Sequence, residues 1–137
     1  MYETFDHTAD LGLRVRAADL DTLFAEAAEA LTSVVVEDPA SVEPSREVSI
    51  HVAGTDRTYL LFDWLKELLY RFDAEHLLFR RFAVRVRDDG LDASAWGEPY
   101  DPDRHPLSHE VKAITYRGLR VEQEPGGGWV AEVIVDI

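Results

Sequence analysis

Three side chains that can bind a cation lie within five residues near the start of the chain. The segment DHTAD at positions 6–10 brings Asp6, His7 and Asp10 together directly before LGLRVRA. Carboxylate and imidazole groups are metal ligands, but Asp is also common in the turns that precede strands. The segment alone therefore leaves three interpretations open: a cation site, a turn that caps a strand, or chance.

The other end of the sequence carries Asp136 and the terminal carboxylate of Ile137. Antiparallel neighbours place the start of one strand beside the end of the other. If the first and last strands pair, Asp10 would meet both groups, and repulsion between like charges would favour a bound cation. Calcium, magnesium and manganese ions accept such oxygen ligands. Without a demonstrated pairing, the residue pattern favours a strand cap and a solvated tail.

Other candidate sites in the sequence are weaker. His105 and His109 have the spacing of two helical zinc ligands, but Pro106 indicates a loop, so we predict no zinc site. The segment PGGG at 125–128 joins two strand patterns and predicts a hairpin, not a phosphate-binding loop. The chain has no cysteine, and its serines lack the context of a nucleophile elbow. No catalytic residue is therefore predicted.

Two amphipathic helices must position these groups. The first is predicted from Leu20 to about residue 35, with Asp19 as its N-cap. The second lies in DRTYLLFDWLKELLYRF at 56–72, where Trp64 falls on a leucine-rich stripe and is predicted to pack in the core. His76 follows this helix and is predicted to be exposed.

Strand patterns fill most of the remaining chain. They cover residues 11–17, 48–52, 81–87, 91–95, 111–116, 118–124 and 129–137. A hairpin turn is predicted at 88–90, and proline-containing segments at 37–47 and 97–110 predict loops. The pattern indicates an α+β fold with two helices packed on a mainly antiparallel sheet, in a single domain of 137 residues.

The net charge of the chain indicates which classes of partner it can bind. The chain has 27 acidic and 14 basic residues, a net charge of -13, which argues against strong direct nucleic-acid binding. The dense cluster of Arg80, Arg81, Arg85 and Arg87 is predicted to be the solvent face of a strand. No apolar stretch is long enough to span a membrane and no leader pattern is present, so a cytoplasmic protein is expected.

The whole chain resembles the archease family. The resemblance is carried by DHTADLGL at 6–13, LDTLFAEAAEAL at 20–31, LLFDWLKELLY at 60–70, GE at 97–98, EVKAITY at 110–116 and VIVDI at 133–137. It implies an archease-like two-layer architecture and a divalent metal site formed by Asp10, Asp136 and Ile137. Asp6, His7 and Thr8 would support that site. One difference is Arg117, which stands where family members often have histidine.

The resemblance implies an accessory role and not catalysis. Similar proteins activate an RtcB-type RNA ligase in tRNA splicing and RNA repair, promoting guanylylation of the ligase by GTP and multiple turnover in a manganese-dependent system. Two alternatives remain open. One is a chaperone-like binding module for RNA-modifying enzymes with a structural metal. The other is a stand-alone metal-dependent hydrolase that uses Asp10 and Asp136 as ligands and His7 as its base.

Overall fold

The protein is represented by a computed structural model, which describes residues 1–7 and 10–137 and omits the side chain of His7. Over these residues the chain forms two α-helices, α1 (Leu20–Val35) and α2 (Arg57–Glu75). The strands are β1 (Tyr2–His7), β2 (Asp10–Ala17), β3 (Arg46–Ala53), β4 (Leu77–Arg87), β5 (Gly90–Pro99), β6 (Ala113–Ile114), β7 (Arg120–Gln123) and β8 (Trp129–Asp136).

The described strands form two antiparallel sheets. The first has the order β1-β2-β8-β6, with β7 also pairing with β8, and the second has the order β3-β5-β4. Helix α1 contacts strands of both sheets and also α2. The predicted α+β class is therefore confirmed, but the strands divide between two sheets where one was expected.

Both helices are built as their sequence patterns predict. Asp19 caps α1 by accepting a hydrogen bond from the backbone N–H of Thr22 at 2.8 Å. Trp64 of α2 is fully buried, and its indole Nε1 donates to the backbone oxygen of Phe24 in α1 at 3.0 Å. This confirms Trp64 as a core residue and joins the two helices. His76 is exposed, as predicted, and ends α2 in the left-handed conformation at φ 57°.

Several predicted boundaries are wrong. Strand β1 was not predicted, because YETFDH shows no clear alternation of apolar side chains. Strand β4 begins at Leu77 and not at residue 81, because a bulge between Phe79 and Arg81 interrupts its alternation. Strand β5 continues to Pro99, so Gly97 and Glu98 end a strand and do not begin the predicted loop. Of residues 111–116, only Ala113–Ile114 form a strand.

The arginine cluster of β4 lies on the outer surface of the second sheet. Arg80, Arg81, Arg85 and Arg87 are all exposed, as predicted. The guanidinium of Arg81 stacks over the Trp96 ring at 4.3 Å. In the described part of the chain, neither helix combines the length and the apolar character needed to cross a membrane.

Candidate metal centre

The pairing of β2 with β8 brings together the carboxylates at the two ends of the sequence. In this antiparallel register Asp10 is directly opposite Asp136. Directly opposed residues project to the same face of a sheet, with Cβ atoms about 4.5–5.5 Å apart. The expected proximity of Asp10 and Asp136 is therefore confirmed. Both strands lie in the middle of the sheet, where Leu13, Val133 and Val135 are buried on the inner face.

Asp136 is enclosed by strands on both sides. Its backbone oxygen accepts a hydrogen bond from the N–H of Lys112 at 2.7 Å, and Ala113 of β6 is its second cross-strand partner. Ile137 follows directly and packs partly against the core. At this end of the sheet β8 is hydrogen-bonded to β2 on one side and to β6 on the other. This pairing fixes the backbone positions of the two aspartates.

The neighbouring rows of the same outer face are closely packed. The ring of Phe5 lies on Gly12, where even a methyl side chain would collide with it. One row further, Glu132 accepts hydrogen bonds from Arg14 and Arg120, each at 2.8 Å. These bonds lower the pKa of Glu132 below its ordinary value. The negative charge of Glu132 on this part of the face is therefore neutralised by two arginines.

Asp10 also has a cationic partner that the sequence did not reveal. The Arg117 guanidinium, on the loop between β6 and β7, donates through Nη2 to Oδ2 of Asp10. The Asp10 side chain is 5% exposed, whereas that of Arg117 is 59% exposed. A positive charge from the protein itself therefore contacts one of the two proposed ligands. Arg117 was noted only as a departure from the family pattern, and nothing in its local sequence pointed to Asp10.

The loop that carries Arg117 is anchored independently of this ion pair. Tyr116 stacks on Phe62 of α2 with ring centroids 4.0 Å apart, and it meets Tyr59 edge-to-face at 5.8 Å. Thr115 donates through both its N–H and its hydroxyl to the backbone oxygen of Ile134, at 3.0 and 2.8 Å. The backbone just before Arg117 is therefore positioned by packing on α2 and by hydrogen bonds to β8.

The donor set at this edge suits a hard cation. Among the side chains that the structure describes, which leave out those of residues 7–9, no three from His, Asp or Glu cluster closely enough to hold a metal ion. Within the described part of the chain, ligands beyond the carboxylates of Asp10 and Asp136 would come from Ile137, backbone oxygens or water. All of these are oxygen donors, which calcium, magnesium and manganese prefer. Metal ligation by Asp10, Asp136 and Ile137 fits this chemistry and stays a prediction.

The structure separates the other members of the DHTAD segment. Asp6 is exposed and opposite Leu11, and alternation along the strand turns it to the other face from Asp10. The backbone of His7 is opposite Asp10. The predicted supporting roles of the His7 side chain and of Thr8 concern atoms outside the described part of the chain.

A second polar cluster lies away from this edge, around the end of β5. His105 is fully buried: its Nδ1 accepts from the Asp101 N–H, and its Nε2 is 2.9 Å from Glu98 Oε2. Glu98 also accepts from Arg104 and from the N–H of Glu43. Burial opposes ionisation of Glu98, but these donors outweigh it and lower its pKa to about 2.

This cluster explains why the His105 and His109 spacing is not a zinc site. Both ring nitrogens of His105 already have protein partners, and no helix connects the two histidines. His109 is exposed, with its Nδ1 3.1 Å from the Ser108 hydroxyl. Glu98 and His105 were not predicted to be partners, because both fall in the segment 97–110 that was predicted to be a single loop.

Comparisons with known proteins agree on one family. Residues 2–137 match the archease protein family. The protein archease of Methanopyrus kandleri is 44% identical over 140 residues, covering 99% of this chain and 99% of that protein. The protein archease of Pyrococcus furiosus is 40% identical over 140 residues, covering 99% and 98%.

Two solved structures share the fold. The solution structure of Methanobacterium thermoautotrophicum protein 1598 superposes with a TM-score of 0.86 at 38% identity, over 99% of this chain and 98% of that one. A Thermotoga maritima crystal structure, described as an archease and possible chaperone, has a TM-score of 0.66 at 16% identity, over 100% and 98%. The second comparison supports the fold alone.

Proposed function

Because this chain belongs to the archease family, we propose that it is an accessory protein that activates an RtcB-type RNA ligase in the cytoplasm. In tRNA splicing and RNA repair it would promote guanylylation of the ligase by GTP and allow repeated turnover. In this proposal the chain catalyses no reaction alone. It supplies a surface and a charged edge to the active site of another enzyme.

The observation that carries the proposal is the direct opposition of Asp10 and Asp136 in the β2–β8 register. These two carboxylates and Ile137 would hold a divalent cation, which supplies positive charge where phosphate oxygens become more negative. The chain's own contribution is to fix the two carboxylates opposite each other at the ends of neighbouring strands. Lys112 and Ala113 hold the Asp136 backbone in place from the other side.

The net charge of -13 supports a protein partner over direct RNA binding. A ligase that binds RNA presents a basic surface, and a strongly acidic protein is attracted to such a surface at long range. The attraction predicts that association slows as salt concentration rises, because screening shortens the reach of charges. The exposed rings of Tyr59 and Tyr116 lie beside the same edge and would add apolar contact area.

The test is a guanylylation and multiple-turnover assay of a purified cognate ligase, with GTP and Mn²⁺, in the presence and absence of this protein. We expect wild type to raise both ligase guanylylation and the number of turnovers. Asp10→Asn and Asp136→Asn should remove most of the stimulation, because each deletes one carboxylate of the pair. Asp88→Asn, at an exposed position in the turn after β4, serves as the matched control and should stimulate like wild type.

Each alternative has its own outcome in the same assay. If wild type leaves guanylylation and turnover unchanged, activation of the ligase is refuted. If both aspartate variants stimulate fully but unfold at lower temperature, the carboxylates have a structural role and a chaperone-like binding module is favoured. Hydrolysis of nucleotides or phosphodiesters by wild type without any ligase, lost in Asp10→Asn, would instead support a metal-dependent hydrolase.

A further inference from the structure

The contact between Arg117 and Asp10 joins a movable cation to a fixed anion. Asp10 is buried at the start of β2, whereas most of the Arg117 side chain is in solvent. An arginine that is largely exposed can leave its partner without disturbing the core, because few atoms pack around it. A buried carboxylate on a paired strand has no such freedom. Any exchange of partners at this site must therefore occur through movement of Arg117.

The loop position does not depend on this ion pair. The neighbouring Tyr116 stacks on Phe62, and Thr115 is hydrogen-bonded to Ile134. Loss of the guanidinium would leave these contacts in place. A substitution at position 117 therefore tests the charge itself and not the folding of the loop.

The guanidinium and a divalent cation would compete for the same carboxylate. Arg117 donates to Oδ2 of Asp10, one of the oxygens that a metal bound between Asp10 and Asp136 would use. Two positive groups within a few ångströms also repel each other, because salt does not screen charges at a separation shorter than the Debye length. The carboxylates cannot hold both cations in one geometry.

We propose that Arg117 is a built-in counter-ion that occupies Asp10 in the metal-free protein and must swing away before a divalent cation binds. The residue at position 117 thereby sets the affinity of the site. This inference rests on the metal site of the proposed function, and it adds a determinant of that site's affinity. Its consequence is that removing the positive charge at 117 strengthens metal binding.

The experiment is a titration of metal-stripped protein with MnCl₂ alone, in which free Mn²⁺ is measured by electron paramagnetic resonance. Wild type is compared with Arg117→Gln, which keeps a long polar side chain but removes the charge. We expect Arg117→Gln to bind Mn²⁺ at least about tenfold more tightly, a difference near 1.4 kcal/mol.

Two further variants make the result specific. Arg85→Gln changes the net charge equally but lies on the second sheet, so it should alter Mn²⁺ affinity by no more than about twofold because salt screens distant charges. Asp10→Asn should abolish the tight binding seen in Arg117→Gln. The double variant Asp10→Asn with Arg117→Gln should behave like Asp10→Asn alone.

Failure of this inference can be separated from failure of the metal site. If wild type and Arg117→Gln bind Mn²⁺ equally, or the variant binds more weakly, while Asp10→Asn removes binding, the metal site stands and the role of Arg117 is refuted. If neither wild type nor Arg117→Gln binds Mn²⁺, the metal site is absent and the inference fails with it. Ligase stimulation by wild type without Mn²⁺ binding would then leave only the activator role.

Discussion

Nε2 of His105 donates a hydrogen bond to Oε2 of Glu98 at 2.9 Å, and both side chains are buried. The direction of this bond follows from the other ring nitrogen. Nδ1 accepts the N–H of Asp101, so the ring hydrogen must lie on Nε2. Glu98 thereby ties residues 101–105 to the end of β5, and through the N–H of Glu43 it also ties the segment before β3.

We predict that Glu98→Gln lowers the free energy of unfolding by about 1–3 kcal/mol, because an amide cannot accept from three donors as a carboxylate does. Urea denaturation at neutral pH measures the change. Glu47→Gln, at an exposed position on β3, is the matched control and should shift stability by about 0.5 kcal/mol or less. Equal effects of the two substitutions would contradict a structural role for the buried cluster.

The lowered pKa of Glu98 implies that the free energy of unfolding depends on pH. Glu98 has a pKa of about 2 in the folded protein against an ordinary value of 4.5. Because the folded value is the lower one, the stabilisation is complete above about pH 4.5 and is lost as the pH falls toward about 2. The difference in unfolding free energy between wild type and Glu98→Gln should therefore shrink over that interval. A constant difference across those pH values would contradict the assignment.

The Arg117–Asp10 contact predicts energetic coupling in the metal-free protein. A double-mutant cycle with Asp10→Asn and Arg117→Gln, measured by thermal unfolding in a chelator, should give a coupling of roughly 1 kcal/mol. The value is modest because exposed arginine side chains are screened by water. Asp10→Asn combined with Arg85→Gln is the control pair, and its effects should be additive. Additivity in both cycles would mean that Arg117 and Asp10 do not interact in solution.

The close packing around Gly97 leads to a further prediction about stability. A Cβ atom at this position would collide with the backbone oxygen of Leu78, beside the bulge in β4. We expect Gly97→Ala to lower the free energy of unfolding by about 1–3 kcal/mol, since a packed site cannot absorb the extra methyl group. At Gly126 no atom outside the adjoining residues lies within 4 Å of the added methyl, so Gly126→Ala should be neutral or slightly stabilising. A neutral Gly97→Ala would show that β4 and β5 can separate at little cost.

Local patterns in the sequence determined the elements that hold the candidate metal centre. The apolar stripes of α1 and α2, the cap at Asp19 and the burial of Trp64 follow from side-chain periodicity over a few residues. Alternation in β2 and β8 identified both strands, and the placing of Asp10 and Asp136 near their ends raised the possibility that they meet. Each of these depends on neighbours in the chain, which a sequence displays directly.

Only the tertiary structure decided how distant segments combine. The strands divide between two sheets, β5 extends through Glu98, and the β2–β8 register puts Asp10 opposite Asp136 and not one residue away. The Arg117 contact with Asp10 joins residues 107 positions apart. Register and long-range ion pairs depend on how whole elements pack against each other, and no local pattern encodes that geometry. The two aspartates were therefore visible in the sequence, whereas the arginine between Asp10 and its proposed metal appeared only in the folded chain.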